Sequence, residues 1–232
     1  MNKKVLAALL FAIFAISCTT VAEDNTLTDT EKKEGWMLLF DGKSMDQWKN
    51  FKKDGISEKW QIKDGAMVLT GKGGGDVMTK KTYKNFDFKL EWKISEGGNS
   101  GIFILADEKG PQIYTHAPEI QILDNEKHSD RSKPNHRSGS LYDMITSPPE
   151  SHKKAGEWNQ VRILLKDKML KVWQNGILTA EVTIGSSKWN ELLANSKFKN
   201  WKGFAANEAG ALGLQDHGDV VSFKNLKIKV LD

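Results

Sequence analysis

The feature that most constrains the fold is residues 86–94, with the sequence FDFKLEWKI, in which apolar and polar side chains alternate at every position. Because successive side chains of a β-strand point to opposite faces, this alternation predicts a strand with one buried and one exposed face. A helix is excluded, since its apolar side chains would recur every three or four positions. The chain is therefore expected to build sheets that pack one face on a core.

Shorter segments of the same kind recur along the chain and are separated by turn signals. Asp64-Gly65 and Asn175-Gly176 each favour a two-residue hairpin turn, because these residues accept positive φ angles. Residues 187–195 are the only good helix candidate. About a dozen short strands and one short helix predict an all-β fold, an antiparallel β-sandwich or jelly roll that forms a single domain over residues 34–232.

The N-terminus has the pattern of a bacterial export signal. Two lysines precede twelve apolar residues, 5–16, a run too short to span a bilayer as a helix. The run ends in the sequence AISC, which is typical of a bacterial lipobox with Cys18 as the lipidated first residue of the mature chain. A secreted protein with an unmodified cysteine is the alternative. Residues 1–17 are thus a predicted signal peptide, and the polar residues 18–33 are a predicted flexible tether.

Composition narrows the classes of partner. Cys18 is the single cysteine, so a disulfide framework and a multi-cysteine metal site are excluded. The formal net charge of +4 falls to about +2 when the two lysines of the signal peptide are removed. No nucleic-acid partner is expected from so balanced a charge. The predicted location is the bacterial cell envelope, on its periplasmic or outer side, with the membrane contacted only through the lipid anchor.

The densest polar pattern lies in residues 118–124, with the sequence PEIQILD. On a strand, Glu119 and Gln121 project from the same face about 7 Å apart, whereas Asp124 rejoins that face only through a bulge. A retaining glycosidase needs two carboxyl groups about 5–5.5 Å apart, and Gln121 cannot ionise. The strand is therefore expected to bind a sugar or a metal without ordinary retaining chemistry.

Two glycine-rich segments carry further candidates. Residues 210–218 deliver Asp216 and His217 into a turn. Histidine suits proton transfer near neutral pH and also binds metals, while a turn histidine stabilised by Asp216 is the alternative. The turn at residues 96–101 would let Asn99 approach a ligand closely.

A polar loop and one strand residue complete the candidates. The loop over residues 124–142 could form a lid or rim, and His136 from it could share a metal site with Asp124; a solvated loop is the alternative. Arg162 lies between apolar residues on a predicted strand, where it either faces the ligand or forms a surface ion pair.

Several motifs, taken in their order along the chain, resemble one family. They are LFDGKS at residues 39–44, NSG at 99–101, EIQILD at 119–124, GEWN at 156–159 and GLQDHG at 213–218. These motifs look like those of the DUF1080 family, from about residue 34 to the end of the chain. The resemblance implies a concanavalin-like, glucanase-type β-sandwich. It also implies action on 3-keto-glycosides, since members are described as 3-keto-disaccharide hydrolases, 3-keto-glucoside 1,2-lyases or 2-hydroxyglucal hydratases.

Such a reaction needs no pair of carboxylates. A ketone at C3 acidifies the C2 proton, so a base can remove it and the aglycone can leave from C1 by β-elimination, after which water adds. The site then needs a base, an acid and a stabiliser of the enolate, either a cation or hydrogen-bond donors. We assign Glu119 and His217 as acid and base, Glu91, Asp124 and His136 as ligands of a divalent metal, and Asn99, Gln121, Tyr142, Arg162 and Asp216 as sugar-binding residues.

Three alternatives stay open. A non-catalytic, lectin-like carbohydrate-binding module of an envelope lipoprotein would use the same fold, because fold does not fix function. A structural protein-interaction domain would lack clustered glutamate, aspartate and histidine in one groove. A conventional glycosidase would need a second carboxylate from another loop.

Overall fold

A computed structural model describes residues 23–232, so the predicted signal peptide and Cys18 lie outside the described residues. The strands are β1 (Trp36–Leu38), β2 (Trp48–Asn50), β3 (Trp60–Lys63), β4 (Ala66–Leu69), β5 (Val77–Thr79), β6 (Phe86–Ile94), β7 (Asn99–Ala106), β8 (Glu119–Leu123), β9 (Asn159–Lys166), β10 (Met169–Gln174), β11 (Ile177–Thr183), β12 (Ala211–Leu214) and β13 (Val221–Val230). The helices are α1 (Asp29–Lys33) and α2 (Ser187–Ala194).

The strands form two antiparallel sheets. The back sheet has eight strands, in the order β11-β10-β9-β6-β13-β4-β3, with β1 also paired to β13. The front sheet has five strands, in the order β2-β5-β12-β7-β8. One large apolar core contains buried residues of both sheets, as in a β-sandwich. The predicted all-β antiparallel sandwich is thereby confirmed.

The alternating segment forms β6, in the middle of the back sheet between β9 and β13. Its apolar side chains are buried in the core, and Phe88 pairs in register with Ile163 on one side and Ile228 on the other. The alternation therefore predicted this strand correctly. The predicted helix at residues 187–195 is also present as α2, and the side chain of Ser186 caps its first turn.

The segment before β1 differs from the flexible tether expected there. Asn25 and Asn225 exchange two hydrogen bonds, from each backbone N–H to the other side-chain oxygen, at 2.6 and 2.9 Å. Asn25 Nδ2 also donates to the Gly65 carbonyl at 2.8 Å. In α1, Glu31 forms an ion pair of 2.8 Å with Lys227. These contacts hold the segment on the back sheet, and polar composition alone could not reveal them.

The outer face of the front sheet is the part of the fold that can hold a ligand. On its edge strand β8, Ile120 and Ile122 point into the core, so Glu119 and Gln121 point outward. Both outward residues are nevertheless buried, at 8% and 1% exposed. The long segments that follow β8 and α2 contribute side chains to the cavity above this face. Among residues 23–232, we find no helix with the length and apolarity that crossing a membrane requires.

Candidate active site

Four outward residues line up across four strands of the front sheet. The register pairs Leu214 with Val77, so Gln215, just after β12, and Asp76, just before β5, are neighbours. On its other side Gln215 donates its backbone N–H to the carbonyl of Gly101, and Gly101 pairs with Gln121. The row Asp76, Gln215, Gly101 and Gln121 is called the floor of the site below.

Gly101 explains why the glycine of the NSG motif is needed. A Cβ atom at this position would overlap the carboxyl group of Glu119. The Glu119 side chain therefore lies directly over Gly101, next to Gln121 and facing Gln215 across the floor. Any larger residue at Gly101 would displace the carboxyl group from the sheet surface.

A cavity of about 390 Å³ opens above the floor. Such a volume lies in the range of small-molecule sites. Its polar lining consists of Asn99, Glu119, Gln121, Lys197, Gln215 and His217. Its aromatic lining consists of Tyr114, Tyr142, Phe198 and Trp201. The combination of an amide-bearing floor and an aromatic wall can hold a polar ring, because hydroxyl groups bond to amides while ring faces stack on aromatic side chains.

Three amide side chains in the cavity carry buried atoms that have no hydrogen-bond partner within residues 23–232. The unpaired atoms are Oδ1 of Asn99, both amide atoms of Gln121, and Oε1 of Gln215. Buried polar groups are almost always paired in folded proteins, because leaving one unpaired costs about 1–3 kcal/mol. These amides are thus arranged for a ligand that supplies both donors and acceptors.

Glu119 is the buried acid of the cavity. Burial raises its pKa to about 8; the charges of Asp76 and Asp130 also raise it, while Lys197 and the neighbouring Gln215 amide lower it. Because desolvation penalises the charged form, the carboxyl group is mostly protonated at neutral pH. A protonated carboxylic acid in a closed cavity can donate a proton to a leaving oxygen.

Lys197 brings a positive charge into the same cavity. Its Nζ lies 4.2 Å from the ring centroid of Tyr142, and its backbone N–H donates to Asp143 at 2.7 Å. Burial lowers the pKa of Lys197, while Glu119 and Asp143 raise it. His136 Nε2 lies 2.9 Å from the same Asp143 carboxylate, and its ring is 4.2 Å from that of Tyr142. His136 therefore supports the aromatic wall through Tyr142.

His217 stands at the mouth of the cavity and is exposed. Its ring centroid is 6.2 Å from that of His128, edge to face. The preceding Asp216 does not line the cavity. Its carboxylate accepts the backbone N–H groups of Gly73 and Gly75 at 3.1 and 2.7 Å, which holds the turn that presents His217. The assignment of Asp216 to sugar binding is replaced by this turn-holding contact.

Two predicted site residues lie on the wrong side of the molecule. Arg162 and Glu91 project from the outer face of the back sheet, opposite to the cavity. Arg162 forms a bidentate ion pair with Asp87, with distances of 2.6–3.2 Å. Glu91 accepts a hydrogen bond from Asn225 Nδ2 at 3.0 Å. The surface ion pair weighed for Arg162 is what forms, because a sequence gives the parity of a strand but not which sheet it joins.

The predicted metal ligands Glu91, Asp124 and His136 are not brought together. The Asp124 carboxylate accepts the backbone N–H groups of Gly97 at 2.6 Å and of Glu126 at 2.9 Å, so it holds two turns. Over the part of the chain that the structure describes, no three histidine, cysteine, aspartate or glutamate side chains cluster as metal ligands would. These residues therefore do not fit a shared divalent metal.

Sequence reasoning missed Asp76 on the floor and five polar or aromatic residues that line the cavity: Tyr114, Lys197, Phe198, Trp201 and Gln215. Asp76 follows a glycine run that has no ligand-binding signature, and Lys197 is one of many lysines. No periodic pattern singled these residues out. Only Gln215, inside the GLQDHG motif, lay in a segment that the sequence had marked.

The fold and the cavity together define a β-sandwich protein with a small-molecule site on its front sheet. The profile of the family described as 3-keto-alpha-glucoside-1,2-lyase-like domain matches residues 35–229. The chain belongs to this family, which confirms the resemblance found in its motifs.

Individual relatives agree with this assignment. A protein of Bacteroides thetaiotaomicron named 3-keto-disaccharide hydrolase is 38% identical, over 91% of this chain and 83% of its own length. A crystal structure from Parabacteroides distasonis, provisionally described as a glycosyl hydrolase, has a TM-score of 0.84 at 35% identity, covering 90% of this chain and all of that one. A Bacillus subtilis protein of galectin-like fold has a TM-score of 0.52 at 11% identity and covers 89% of this chain and 94% of its own, a likeness in fold alone. The chain is accordingly a carbohydrate-active enzyme.

Proposed function

We propose that the protein cleaves 3-keto-glycosides by proton abstraction at C2 and β-elimination of the aglycone, followed by addition of water, with net hydrolysis. The observation that carries the proposal is the buried Glu119 carboxyl group beside unpaired amides in a sugar-sized cavity. The name of the relative from Bacteroides thetaiotaomicron supports the choice of substrate.

The reaction balances without a covalent intermediate. A base removes the C2 proton, which the C3 ketone has acidified, and the electron pair is held as an enolate. The pair then forms the C1–C2 double bond while the C1–O bond breaks, and the departing oxygen takes a proton from an acid. Water adds its oxygen to C1 and a proton returns to C2, which leaves the free 3-keto sugar and the aglycone. Acid–base groups of this kind contribute about 10²–10⁴-fold each.

Two side chains fit the proton transfers. Glu119 is protonated at neutral pH and lies on the floor, so it would protonate the departing aglycone oxygen. His217 stands at the mouth, where its imidazole would accept the C2 proton. Glu119 enters the cavity from β8 and His217 from the turn after β12, so the acid and the base can act on different atoms of one bound ring.

Lys197 would stabilise the enolate. Its charge lies inside the cavity and interacts with Glu119. A preorganised cation next to developing negative charge lowers the barrier, because the charge needs no solvent reorganisation when the reaction occurs. The positive charge assigned from the sequence to a divalent metal is thus available from a side chain.

The aromatic wall would bind the leaving group. The rings of Tyr114 and Trp201 lie 5.9 Å apart between centroids, and Tyr114 is 39% exposed. Exposed aromatic rings beside a polar floor are suited to the apolar face of a second sugar. The 3-keto ring would occupy the floor, with its hydroxyl groups on Asn99, Gln121 and Gln215.

The test compares two substrates that differ only at C3, which is a ketone in one and carries a hydroxyl group in the other. The purified full chain is incubated with a 3-keto-glucoside and with the parent glucoside. We expect release of the aglycone from the first and none from the second. Binding of either compound with no turnover of the first would overturn the proposal in favour of a carbohydrate-binding module.

A second arm tests the assignment of the base. We expect His217→Ala to lose at least about 100-fold in kcat. His152→Ala is the matched control, because His152 contacts Pro149 and Glu126 away from the cavity. Equal rates for His217→Ala and His152→Ala would remove His217 from the mechanism.

A further inference from the structure

A second carboxyl group lies on the floor of the site, where the reaction as proposed gives it no part. Asp76 immediately precedes β5, next to Gln215 in the row described above. Its Oδ1 accepts the backbone N–H of Asp216 at 2.9 Å. Its side chain is half-buried although its neighbour Asp216 carries a like charge. A carboxyl group that is half-buried beside a like charge, with one hydrogen bond from the backbone, is expected to interact with a further group of the site.

The Gln215 amide stands between this carboxyl group and Glu119. Two strand spacings place the backbones of Asp76 and Gly101 about 10 Å apart, and Gln215 occupies the position between them. The Glu119 carboxyl group lies over Gly101, so the two carboxyl groups flank one amide. Oε1 of Gln215 is buried and has no partner within residues 23–232. The Gln215 amide lowers the pKa of Glu119 by its hydrogen bond, and the charge of Asp76 on the other side of that amide opposes this effect.

We propose that Asp76 is a positioning residue of the site, whose charge, on the far side of the Gln215 amide, keeps Glu119 protonated as the acid of the reaction. The catalytic part of this inference rests on the proposed function, but the interaction of the two carboxyl groups does not. Asp76 and Glu119 then hold one proton between them over the working pH range, and Glu119 is its site.

The electrostatics agree with this geometry. Burial and the charge of Asp216 raise the pKa of Asp76 to about 6. Burial and the charge of Asp76, among others, raise the pKa of Glu119 to about 8. Between these two values Asp76 is ionised and Glu119 is neutral. Two interacting groups whose environments separate their pKa values in this way are the usual mark of an acid–base assignment.

The other charged groups around Glu119 come from the covering segments. Lys197 lowers its pKa and Asp130 raises it, and Tyr142 and His217 also border the cavity. The charge of Asp143 raises the pKa values of Lys197 and Tyr142. Asp76 is therefore the one carboxylate on the sheet itself, among residues 23–232, whose charge raises the pKa of Glu119.

The decisive variant is Asp76→Asn. It removes the charge but keeps the oxygen that accepts the Asp216 N–H. Because a like charge raises the pKa of a carboxyl group, its removal lowers the pKa of Glu119 by about 0.5–1.5 units. The alkaline limb of the pH profile of kcat, where Glu119 loses its proton, should move to lower pH by the same amount. Asp76→Glu, which restores the charge, should move the limb back.

Two readouts separate this inference from the proposed function. The first is the pH profile, and the second is the infrared band of the protonated Glu119 carboxyl group, identified by its loss in Glu119→Gln and titrated without substrate. Asp46→Asn is the control, since Asp46 is exposed and has no side-chain contact with the site. A shift of the infrared titration in Asp76→Asn but not in Asp46→Asn supports the coupling even if no 3-keto-glycoside is turned over. An unchanged Glu119 titration in Asp76→Asn overturns the inference even if the enzyme is active.

Discussion

The outer faces of the two sheets are both polar, but their side chains are satisfied in different ways. On the back sheet the charges neutralise each other: Arg162 pairs with Asp87, Lys171 with Glu181, and Lys227 with Glu31. On the front sheet the buried amides are unpaired and Glu119 is neutral at pH 7. The same strand alternation thus gives one face whose charged groups pair with each other and one face whose buried amides have atoms free to bind a ligand.

The aromatic residues of the two faces differ in the same sense. On the back sheet Trp173 lies beneath the Arg162 guanidinium at 5.0 Å, and Trp36 beneath Lys89 at 4.1 Å. At the front, Tyr114 lines the cavity and is 39% exposed, whereas Lys197 lies over the ring of Tyr142 at 4.2 Å and over that of Trp201 at 5.9 Å. A ring face close to a cation of the protein is already partly occupied, whereas the exposed Tyr114 ring is available to a sugar. The difference between the two faces therefore rests on Tyr114 and on the amides with unpaired atoms.

The strongest test of this comparison substitutes one glutamate on each face by glutamine. We expect Glu119→Gln to lose about 10²–10⁴-fold in kcat/KM on a 3-keto-glucoside, because glutamine cannot donate the proton to the departing oxygen. Glu91→Gln, on the back sheet, should stay within about twofold. Steady-state kinetics on the two purified variants measures both. If the two losses are similar, the front face has no special part in the chemistry.

A tryptophan from each face gives a smaller contrast. Trp201→Ala should raise KM for a 3-keto-disaccharide about tenfold and leave KM for the methyl 3-keto-glucoside nearly unchanged, because only the disaccharide places a ring on the wall. Trp173→Ala should change neither constant, since its ring is beneath Arg162. An equal rise in KM for both substrates would show that Trp201 shapes the whole cavity rather than the leaving-group end.

The smallest effect concerns stability and has the opposite sign to the effect on activity. Gln121→Leu removes a buried amide with two unpaired atoms, so the free energy of unfolding should rise by about 1 kcal/mol while KM increases several-fold. Gln160→Leu, at an exposed position of the back sheet, should change neither quantity. Urea denaturation and initial rates measure the two. A loss of stability in Gln121→Leu would mean that its amide is already satisfied in the free protein.

Local structure was predictable because its causes lie within a few residues. Asp64-Gly65 and Asn175-Gly176 adopt the positive φ angles that their residue types allow, and each forms the two-residue turn of a hairpin. Glu119 and Gln121 were placed on one face by the two-residue period of β8, which also confirms that strand. The order of the family motifs along the chain also indicated the fold class.

The composition of the site was predictable only in part. Five of the ten residues proposed for catalysis, sugar binding or metal binding line the cavity: Asn99, Glu119, Gln121, Tyr142 and His217. Arg162 and Glu91 lie away from the cavity, because the alternation of a strand does not show to which sheet its outward face belongs. Asp216 and Asp124 accept backbone N–H groups of turns instead of lining the cavity, because a carboxylate near glycines is equally suited to hold a turn.

The sequence by itself determined the alternation of β6, the hairpin turns and the pairing of Glu119 with Gln121 on one face, since each depends on neighbours a few residues apart. Only the tertiary structure decided that Asp76, Gln215 and Glu119 share one floor and that Lys197 covers it. These residues are far apart in the chain and meet through the register of β5, β12, β7 and β8. Strand pairing over such separations depends on the packing of the whole sandwich, which no local pattern encodes.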